Sequence, residues 1–195
     1  MGVVICEDGK ARCQWCAGDA EYERYHDEEW GHVQRDSRAL FEKLCLEGFQ
    51  AGLAWITILR KRDAFREVFH GFEPEKIAAM GAADIERLMG DARIVRNRLK
   101  IEATISNAKA YLAMQADGGP SAFSDLVWES VGGETKVNRP KTMADVPAKT
   151  PEAEALSKRL KKAGFRFVGP TICYAFMQSM GLVDDHMEGC WRAPK

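Results

Sequence analysis

The chain has 195 residues, of which 46% are hydrophobic and 29% are charged, as in ordinary globular proteins. This length fits one large domain or two small ones, and the longest apolar runs, such as residues 53–59, are far too short to span a membrane. The formal net charge of −1 does not indicate a protein that binds nucleic acid through its overall charge. The first twelve residues lack a signal-peptide pattern, so we expect a cytoplasmic protein whose six cysteines are thiols or metal ligands.

Helical spacing of apolar residues dominates the chain, and strand-like alternation is nearly absent, which predicts an all-α fold. Asp36 or Ser37 is expected to cap the first clear helix, which Gly48 and Gly52 are expected to kink or divide. Pro74 suits the first position of a further helix.

The second half of the chain continues the helical pattern. Asp84 is expected to open a short helix, and a longer helix is expected over residues 100–114. After a polar connection, residues 132–151, one helix ends at Gly164 and a hydrophobic helix covers residues 171–180. The two helices and the connector between them can offer backbone N–H groups to a phosphate, although an ordinary helical corner gives the same pattern.

Two runs of basic residues break the even distribution of charge. The first run contains no acid and consists of Arg93, Arg96, Arg98 and Lys100. The second run consists of Lys158, Arg159, Lys161, Lys162 and Arg166, and its first four members fall opposite the apolar side of their predicted helix. Such a face can hold phosphates even in a neutral protein, and a solvated helix face is the alternative.

Cysteines and histidines near both ends of the chain could form a metal site. Cys13 and His26 lie near one end. His186 and Cys190 lie four residues apart near the other. Zinc takes four nitrogen or sulfur ligands, so the two pairs predict a closed, structural site that ties the ends together. Cys16 competes for one ligand position, and unrelated thiols and imidazoles remain the alternative.

Glu47 is the most informative single residue, because it falls on the apolar face of its own predicted helix. A buried carboxylate that finds donors or has a raised pKa often marks a functional pocket. Five aromatic residues accompany it in the sequence: Trp15, Tyr22, Tyr25, Trp30 and Trp55. Together they predict a pocket for a planar, electron-poor ring such as a flipped nucleobase. The alternative is a core of tryptophans in which Glu47 pairs with an arginine.

Five strings strongly resemble the type I 3-methyladenine DNA glycosylases, in the expected order from about Cys13 to Cys190. They are CQW at 13–15, YHDEEWG at 25–31, LEGFQAGLAW at 46–55, FRFVGPTICYAFM at 165–177 and GLVDDHMEGC at 181–190. The resemblance implies a helix–hairpin–helix glycosylase fold, with a helical domain over residues 36–181 and the helix–hairpin–helix at about 152–181. Residues 1–35 and 182–195 would form a second lobe tied by structural Zn²⁺.

The same resemblance implies roles for individual residues. The zinc ligands would be Cys13, His26, His186 and Cys190. Glu47 would be the catalytic residue and would accept hydrogen bonds from the methylated base in a pocket formed by Trp15, Tyr22, Tyr25, Trp30 and Trp55. Gln50 and Leu53 would fill the gap that the base leaves in the duplex. Further DNA contacts would come from Arg93, Arg96, Arg98, Gly164, Arg166, Gly169 and Thr171.

The implied reaction is base-excision repair of double-stranded alkylated DNA, in which 3-methyladenine is hydrolysed from its sugar and leaves an abasic site without strand cleavage. A carboxylate and aromatic faces favour the cationic base over adenine. Neither Asp184 nor Asp185 is assigned as a general base, because the family lacks the aspartate that other hairpin glycosylases use. A monomer associated with a bacterial nucleoid is expected. A zinc hydrolase with Glu47 as general base and a non-catalytic DNA-binding module stay open as alternatives.

Overall fold

The structure is a computed structural model that describes residues 2–193. Helices make up most of this region, as the sequence predicts. The α-helices are α1 (Ala20–Glu28), α2 (Ser37–Gln50), α3 (Trp55–Leu59), α4 (Arg62–Val68), α5 (Pro74–Ala78), α6 (Ala82–Gly90), α7 (Arg98–Gly118), α8 (Ala122–Glu129), α9 (Pro151–Lys162) and α10 (Pro170–Ser179). Single 3₁₀ turns cover Gln14–Cys16, His70–Phe72 and Met143–Asp145. Between residues 2 and 193, no helix has the length and apolar character needed to cross a membrane.

Short strands form two small sheets that the predicted all-α class does not contain. β1 (Val3–Ile5) and β2 (Ala11–Cys13) pair antiparallel. β3 (Lys136–Val137) and β4 (Val183–Asp184) pair parallel. Strands of two or three residues are too short to produce a readable alternation of apolar and polar residues, which is why the pattern does not reveal them.

Helix α2 begins as predicted, since the Asp36 carboxylate accepts a hydrogen bond from a backbone N–H of the first turn. The predicted kink at Gly48 is wrong, because this residue lies inside a continuous helix. Its missing side chain instead allows a close approach, since a Cβ there would lie 3.4 Å from the Cβ of Phe167. Gly52, with a φ of 80°, forms the turn that separates α2 from α3.

Two predicted helix starts are displaced. Asp84 lies inside α6 instead of opening it, and its carboxylate accepts a hydrogen bond from the backbone N–H of Gly81 at 3.0 Å. Helix α7 begins two residues before the expected Lys100, because the side chain of Asn97 caps it. The predicted end at Gly164 agrees with α9, since this glycine adopts a φ of 93° just beyond the helix.

Helices α9 and α10 are joined by residues 163–169, which pack against α2 at Gly48. The Ser157 hydroxyl donates to the carbonyl of Val168 at 2.6 Å and so fixes the connection to α9. Leu156 and Leu160 are buried on one side of α9, and the basic residues on its other side are exposed, as predicted. The connection therefore lies one residue away from Glu47.

The two ends of the described chain lie together. Most of the core forms one apolar cluster that includes residues between 25 and 183, and a second small cluster contains Cys13, Met187 and Cys190. The backbone N–H of Trp191 donates to the carbonyl of Ala11 at 2.8 Å. The fold thus brings the cysteines of the two termini into one buried place.

Candidate active site

A cavity of about 260 Å³ brings together side chains from α1, α2, α3 and the 3₁₀ turn before α1. The ring centroids of Trp15 and Tyr22 are 4.9 Å apart, and those of Tyr25 and Trp55 are 5.5 Å apart. The residues predicted to contact the base all line this cavity: Trp15, Tyr22, Tyr25, Trp30, Glu47 and Trp55. Their roles there stay a prediction.

Gln50, predicted to fill the gap in the duplex, also lines the cavity. The remaining lining was not anticipated from the sequence and consists of Met143, Val146, Ala175, Gln178, Asp185 and Met187. Met143 and Val146 belong to the polar connection, whose composition gives no signal of a contact with the cavity. Asp185 is held by neutral donors, since it accepts hydrogen bonds from Asn138 at 2.8 Å and from the Tyr174 hydroxyl at 2.6 Å.

Glu47 is a buried carboxylate, with 4% of its surface exposed. Its Oε1 lies 3.1 Å from Nζ of Lys43, one helical turn earlier. Its Oε2 is buried and has no hydrogen-bond partner among the residues that the structure describes. Glu47 therefore forms a buried ion pair, as the alternative interpretation predicts, but its partner is a lysine and not an arginine. The i, i+4 spacing is the sequence signal that could have found it.

Burial dominates the electrostatics of the cavity. It raises the pKa of the Glu47 carboxyl, and the nearby ammonium of Lys43 opposes this effect. It lowers the pKa of Lys43 to about 8 against the attraction of Glu47. It also raises the pKa of Tyr22 to about 12, so that this hydroxyl stays protonated at neutral pH. A bound ring would meet aromatic faces and one unsatisfied carboxylate oxygen.

A second candidate site lies where the termini meet. Ligand atoms of Cys13, His26 and Cys190 are within 4.8 Å of one another, and all three residues are buried. Sγ of Cys190 lies 3.4 Å from Nε2 of His26, and the neighbouring side chains of Cys13 and His26 hold the pKa of the Cys190 thiol below its usual value. Cys16 is outside this cluster, because its thiol donates to the backbone carbonyl of Cys13 at 3.1 Å. The geometry therefore does not support Cys16 as a competing ligand.

His186, the fourth predicted ligand, lies beside the cluster but outside it. Its ring centroid is 5.2 Å from that of His26, and its Nδ1 lies 2.7 Å from a carboxylate oxygen of Asp184. Its Nε2 is buried without a partner in the described structure. Nδ1 of His26 similarly lies 2.8 Å from the carboxylate of Asp27. The site thus offers two thiols and two imidazoles, and a carboxylate lies beside Nδ1 of each imidazole. This donor set fits zinc.

The residues predicted to fill the duplex gap lie next to the cavity. Gln50, the last residue of α2, lines it, and Leu53 in the following turn is 42% exposed. Among the residues predicted to contact the backbone of DNA, Arg166, Gly164 and Thr171 are exposed and Gly169 is half-buried at the start of α10.

The first basic run is not an unopposed basic face, which corrects the expectation from the sequence. Arg93 is paired with Asp91 and with Glu67, each at 2.8 Å. Arg98 is paired with Glu86 at 2.8 Å, while Arg96 is exposed. Acids thus lie beside two of the three arginines: Asp91 is close in sequence, whereas Glu67 and Glu86 come from other segments that local sequence does not reveal.

Lys100 does not contribute to an exposed basic surface, because it is buried and its ammonium donates to two carbonyls at the end of α2. The acceptors are Phe49 at 2.9 Å and Ala51 at 2.7 Å. Lys100 therefore supports the turn between α2 and α3 instead of adding to a surface charge.

Comparison with known proteins agrees with the resemblance. A family model described as methyladenine glycosylase matches residues 15–193. The chain belongs to the methyladenine glycosylase family. The chain is 53% identical over 179 residues to DNA-3-methyladenine glycosylase 1 of Escherichia coli strain K12, across 92% of this chain and 95% of the relative.

Solved structures of the family have the same fold. A crystal structure of 3-methyladenine DNA glycosylase I superposes with a TM-score of 0.91 at 51% identity, covering 94% of this chain and all of the other. A structure of the Staphylococcus aureus enzyme, described as the basis of its 3-methyladenine recognition, gives a TM-score of 0.89 at 41% identity and covers 94% of this chain and 97% of the other. Strands β1 and β2 precede the residues that the family model matches.

Proposed function

We propose that this methyladenine glycosylase removes 3-methyladenine from alkylated double-stranded DNA by hydrolysing the bond between base and sugar. The observation that carries the proposal is the buried, unpartnered Oε2 of Glu47 in a cavity walled by aromatic rings. The names of the similar proteins, and the described 3-methyladenine recognition by the Staphylococcus aureus enzyme, support this choice of base.

The base would reach the cavity by leaving the duplex, since a glycosylase cannot act on a stacked base. The methylated ring is cationic, and Trp15, Tyr25 and Trp55 offer π faces that attract a cation. Glu47 would accept hydrogen bonds from the ring and favour it over neutral adenine. The positive charge already weakens the bond to deoxyribose, so the base leaves neutral and water attacks the sugar. The product is an abasic site in an unbroken strand.

The surrounding surface would hold the distorted DNA. Gln50 and the exposed apolar Leu53 suit a wedge that fills the space of the flipped base. The connection of residues 163–169 and the start of α10 would present backbone N–H groups to phosphates as a helix–hairpin–helix motif. The ion pairs of Arg93 and Arg98 are exposed, so little free energy opposes their exchange for phosphates.

Zinc would be structural and would bind where the two ends of the described chain meet. Cys13, His26 and Cys190 would hold it with His186 as the fourth ligand, leaving no position for water. Residues 1–35 and 182–195 would then form the lobe tied by zinc, and residues 36–181 the helical glycosylase domain. A closed site argues against the zinc-hydrolase alternative. We further propose that the protein acts as a monomer in the cytoplasm, where its DNA substrate lies.

The experiment is incubation of the protein with duplex DNA that has been methylated by an alkylnitrosourea. We expect release of 3-methyladenine well above the spontaneous rate, detected by chromatography, and alkali-sensitive sites in strands that stay intact without alkali. Binding to the duplex without base release would instead indicate a non-catalytic module. Loss of activity on chelation without any loss of folding would favour the zinc hydrolase.

A further inference from the structure

Lys43 is a buried lysine directly behind the wall of the candidate site, with 8% of its side chain exposed. Its Nζ donates to the Tyr25 hydroxyl at 2.7 Å, lies 3.1 Å from Oε1 of Glu47 and lies 3.3 Å from the ring centroid of Trp55. All three neighbours line the cavity. One ammonium therefore contacts the carboxylate and two of the aromatic walls.

Packing alone does not account for a lysine at this place. Transfer of an ammonium out of water is costly. Replacement of both members of a buried ion pair by apolar residues of similar size is often neutral or stabilising for the fold. An apolar residue, however, would leave Glu47 without the one ion-pair partner that it has among residues 2–193. The position and the ionisation of the Glu47 carboxylate thus depend on Lys43.

We propose that Lys43 is a positioning residue for base recognition, which anchors Oε1 of Glu47 and keeps this carboxylate ionised while Oε2 faces the base. The assignment rests on the proposed function for the identity of the base. Lys43 is not among the residues that line the cavity, so it acts through Glu47, Tyr25 and Trp55. It has no direct contact with the reacting atoms in this arrangement.

The other charges near this pair do not replace Lys43. Arg62 is bound to Glu29, with Nη2 and Oε1 2.9 Å apart, so its charge is already compensated. Asp185 lines the same cavity, and together with the neutral hydroxyls of Tyr22 and Tyr25 it offers no positive charge to Glu47.

Loss of the ammonium therefore has a definite electrostatic consequence. Burial raises the pKa of Glu47; the ammonium of Lys43 opposes this rise most strongly, and the hydroxyl of Ser179 opposes it more weakly. Without Lys43, we expect Glu47 to bind a proton at neutral pH, and a neutral carboxyl no longer favours a cationic ring. The base-release activity should then return at higher pH, where the carboxyl ionises without help.

The test compares the pH profiles of 3-methyladenine release for the wild type, Lys43→Met and Lys109→Met. Methionine keeps the length of the side chain without its charge, and Lys109 is an exposed lysine of α7 that serves as a matched control. We expect Lys43→Met to lose about tenfold or more at pH 7 and its acid limb to shift upward by about 1–3 pH units. Lys109→Met should keep the wild-type profile. An equal loss at every pH would show a merely structural role and overturn the proposal.

A measurement without DNA separates this proposal from the proposed function. The carboxyl carbon of Glu47 can be titrated by NMR in glutamate-labelled protein and assigned by its absence in Glu47→Gln. We expect its midpoint to lie at higher pH in Lys43→Met than in the wild type, and an unchanged midpoint would contradict the role of Lys43. Lys43→Gln, which keeps a polar group, gives the same comparison if the methionine variant does not fold. Failure of the wild type to release the base would instead overturn the proposed function alone.

Discussion

The side chain of Asn107 forms two hydrogen bonds with the backbone of Arg166. Its Nδ2 donates to the Arg166 carbonyl at 3.1 Å, and the Arg166 N–H donates to its Oδ1 at 2.7 Å. Asn107 is 3% exposed, so helix α7 holds the connection between α9 and α10 through a buried polar contact. The segment proposed to meet phosphates is therefore ordered before DNA arrives.

Replacing Asn107 by Ala leaves both backbone groups of Arg166 without this partner. We expect the free energy of unfolding to fall by about 1–3 kcal/mol and the affinity for undamaged duplex at fixed salt to fall as well. Chemical denaturation and fluorescence anisotropy measure the two effects. Lys109→Ala, on the same helix but exposed, is the control. Unchanged stability of Asn107→Ala would show that these bonds contribute little.

Replacing Cys190 by Ser removes one proposed zinc ligand. We expect the purified wild type to contain one zinc per chain and Cys190→Ser to contain much less, with a lower melting temperature, because binding free energy of a structural zinc is also folding free energy. Elemental analysis and thermal unfolding measure both. Cys6→Ser changes a half-buried cysteine outside the cluster and should keep the metal. Wild-type zinc content in Cys190→Ser would contradict the assignment.

Gly31 and Gly52 form a matched pair for the role of His186. Their φ angles are 78° and 80°, so alanine is strained by about 1–2 kcal/mol at either position. A Cβ at Gly31 would lie 2.7 Å from Cε1 of His186, whereas a Cβ at Gly52 would meet no atom within 4 Å. We expect Gly31→Ala to be the less stable variant and to lose zinc, while Gly52→Ala keeps it. Equal zinc content in the two variants would contradict this expected coupling between Gly31 and the zinc site.

The buried pair of Lys43 and Glu47 is expected to lower stability at neutral pH. Burial raises the pKa of Glu47. The contribution of this carboxyl to the free energy of unfolding is therefore present at low pH and is lost as pH rises through the raised pKa. Burial lowers the pKa of Lys43 to about 8, so its contribution, present above the unfolded value, is lost as pH falls through about 8.

The double variant Lys43→Met with Glu47→Leu removes both effects. We expect it to be as stable as the wild type at pH 7 or more stable, by up to about 4 kcal/mol, and to release no base. Denaturant unfolding at pH 7 gives the comparison. A double variant that is clearly less stable than the wild type would show that the pair also contributes to folding.

Local sequence predicted the parts of this molecule that depend on local chemistry. The cap at Asp36, the end of α9 before Gly164 and the burial of Glu47 follow from capping, glycine conformation and helical spacing. The family was found through extended motifs, and the comparisons confirm it.

What the sequence did not reveal depends on contacts between distant segments. Lys100 belongs to a basic run in the sequence, but the fold buries it against the end of α2. Acids from other segments pair with Arg93 and Arg98, and the polar connection supplies Met143 to the cavity. None of these neighbours can be found from periodicity, because periodicity describes one element at a time.

We propose that the Glu47 carboxylate in the aromatic cavity selects the methylated base. The most direct test is the rate of 3-methyladenine release from methylated duplex DNA by wild type and Glu47→Gln, at equal protein concentration and with folding verified for both. Glutamine keeps the shape but not the charge, so we expect the variant to lose about 10- to 150-fold. Equal rates in the two proteins would contradict the account.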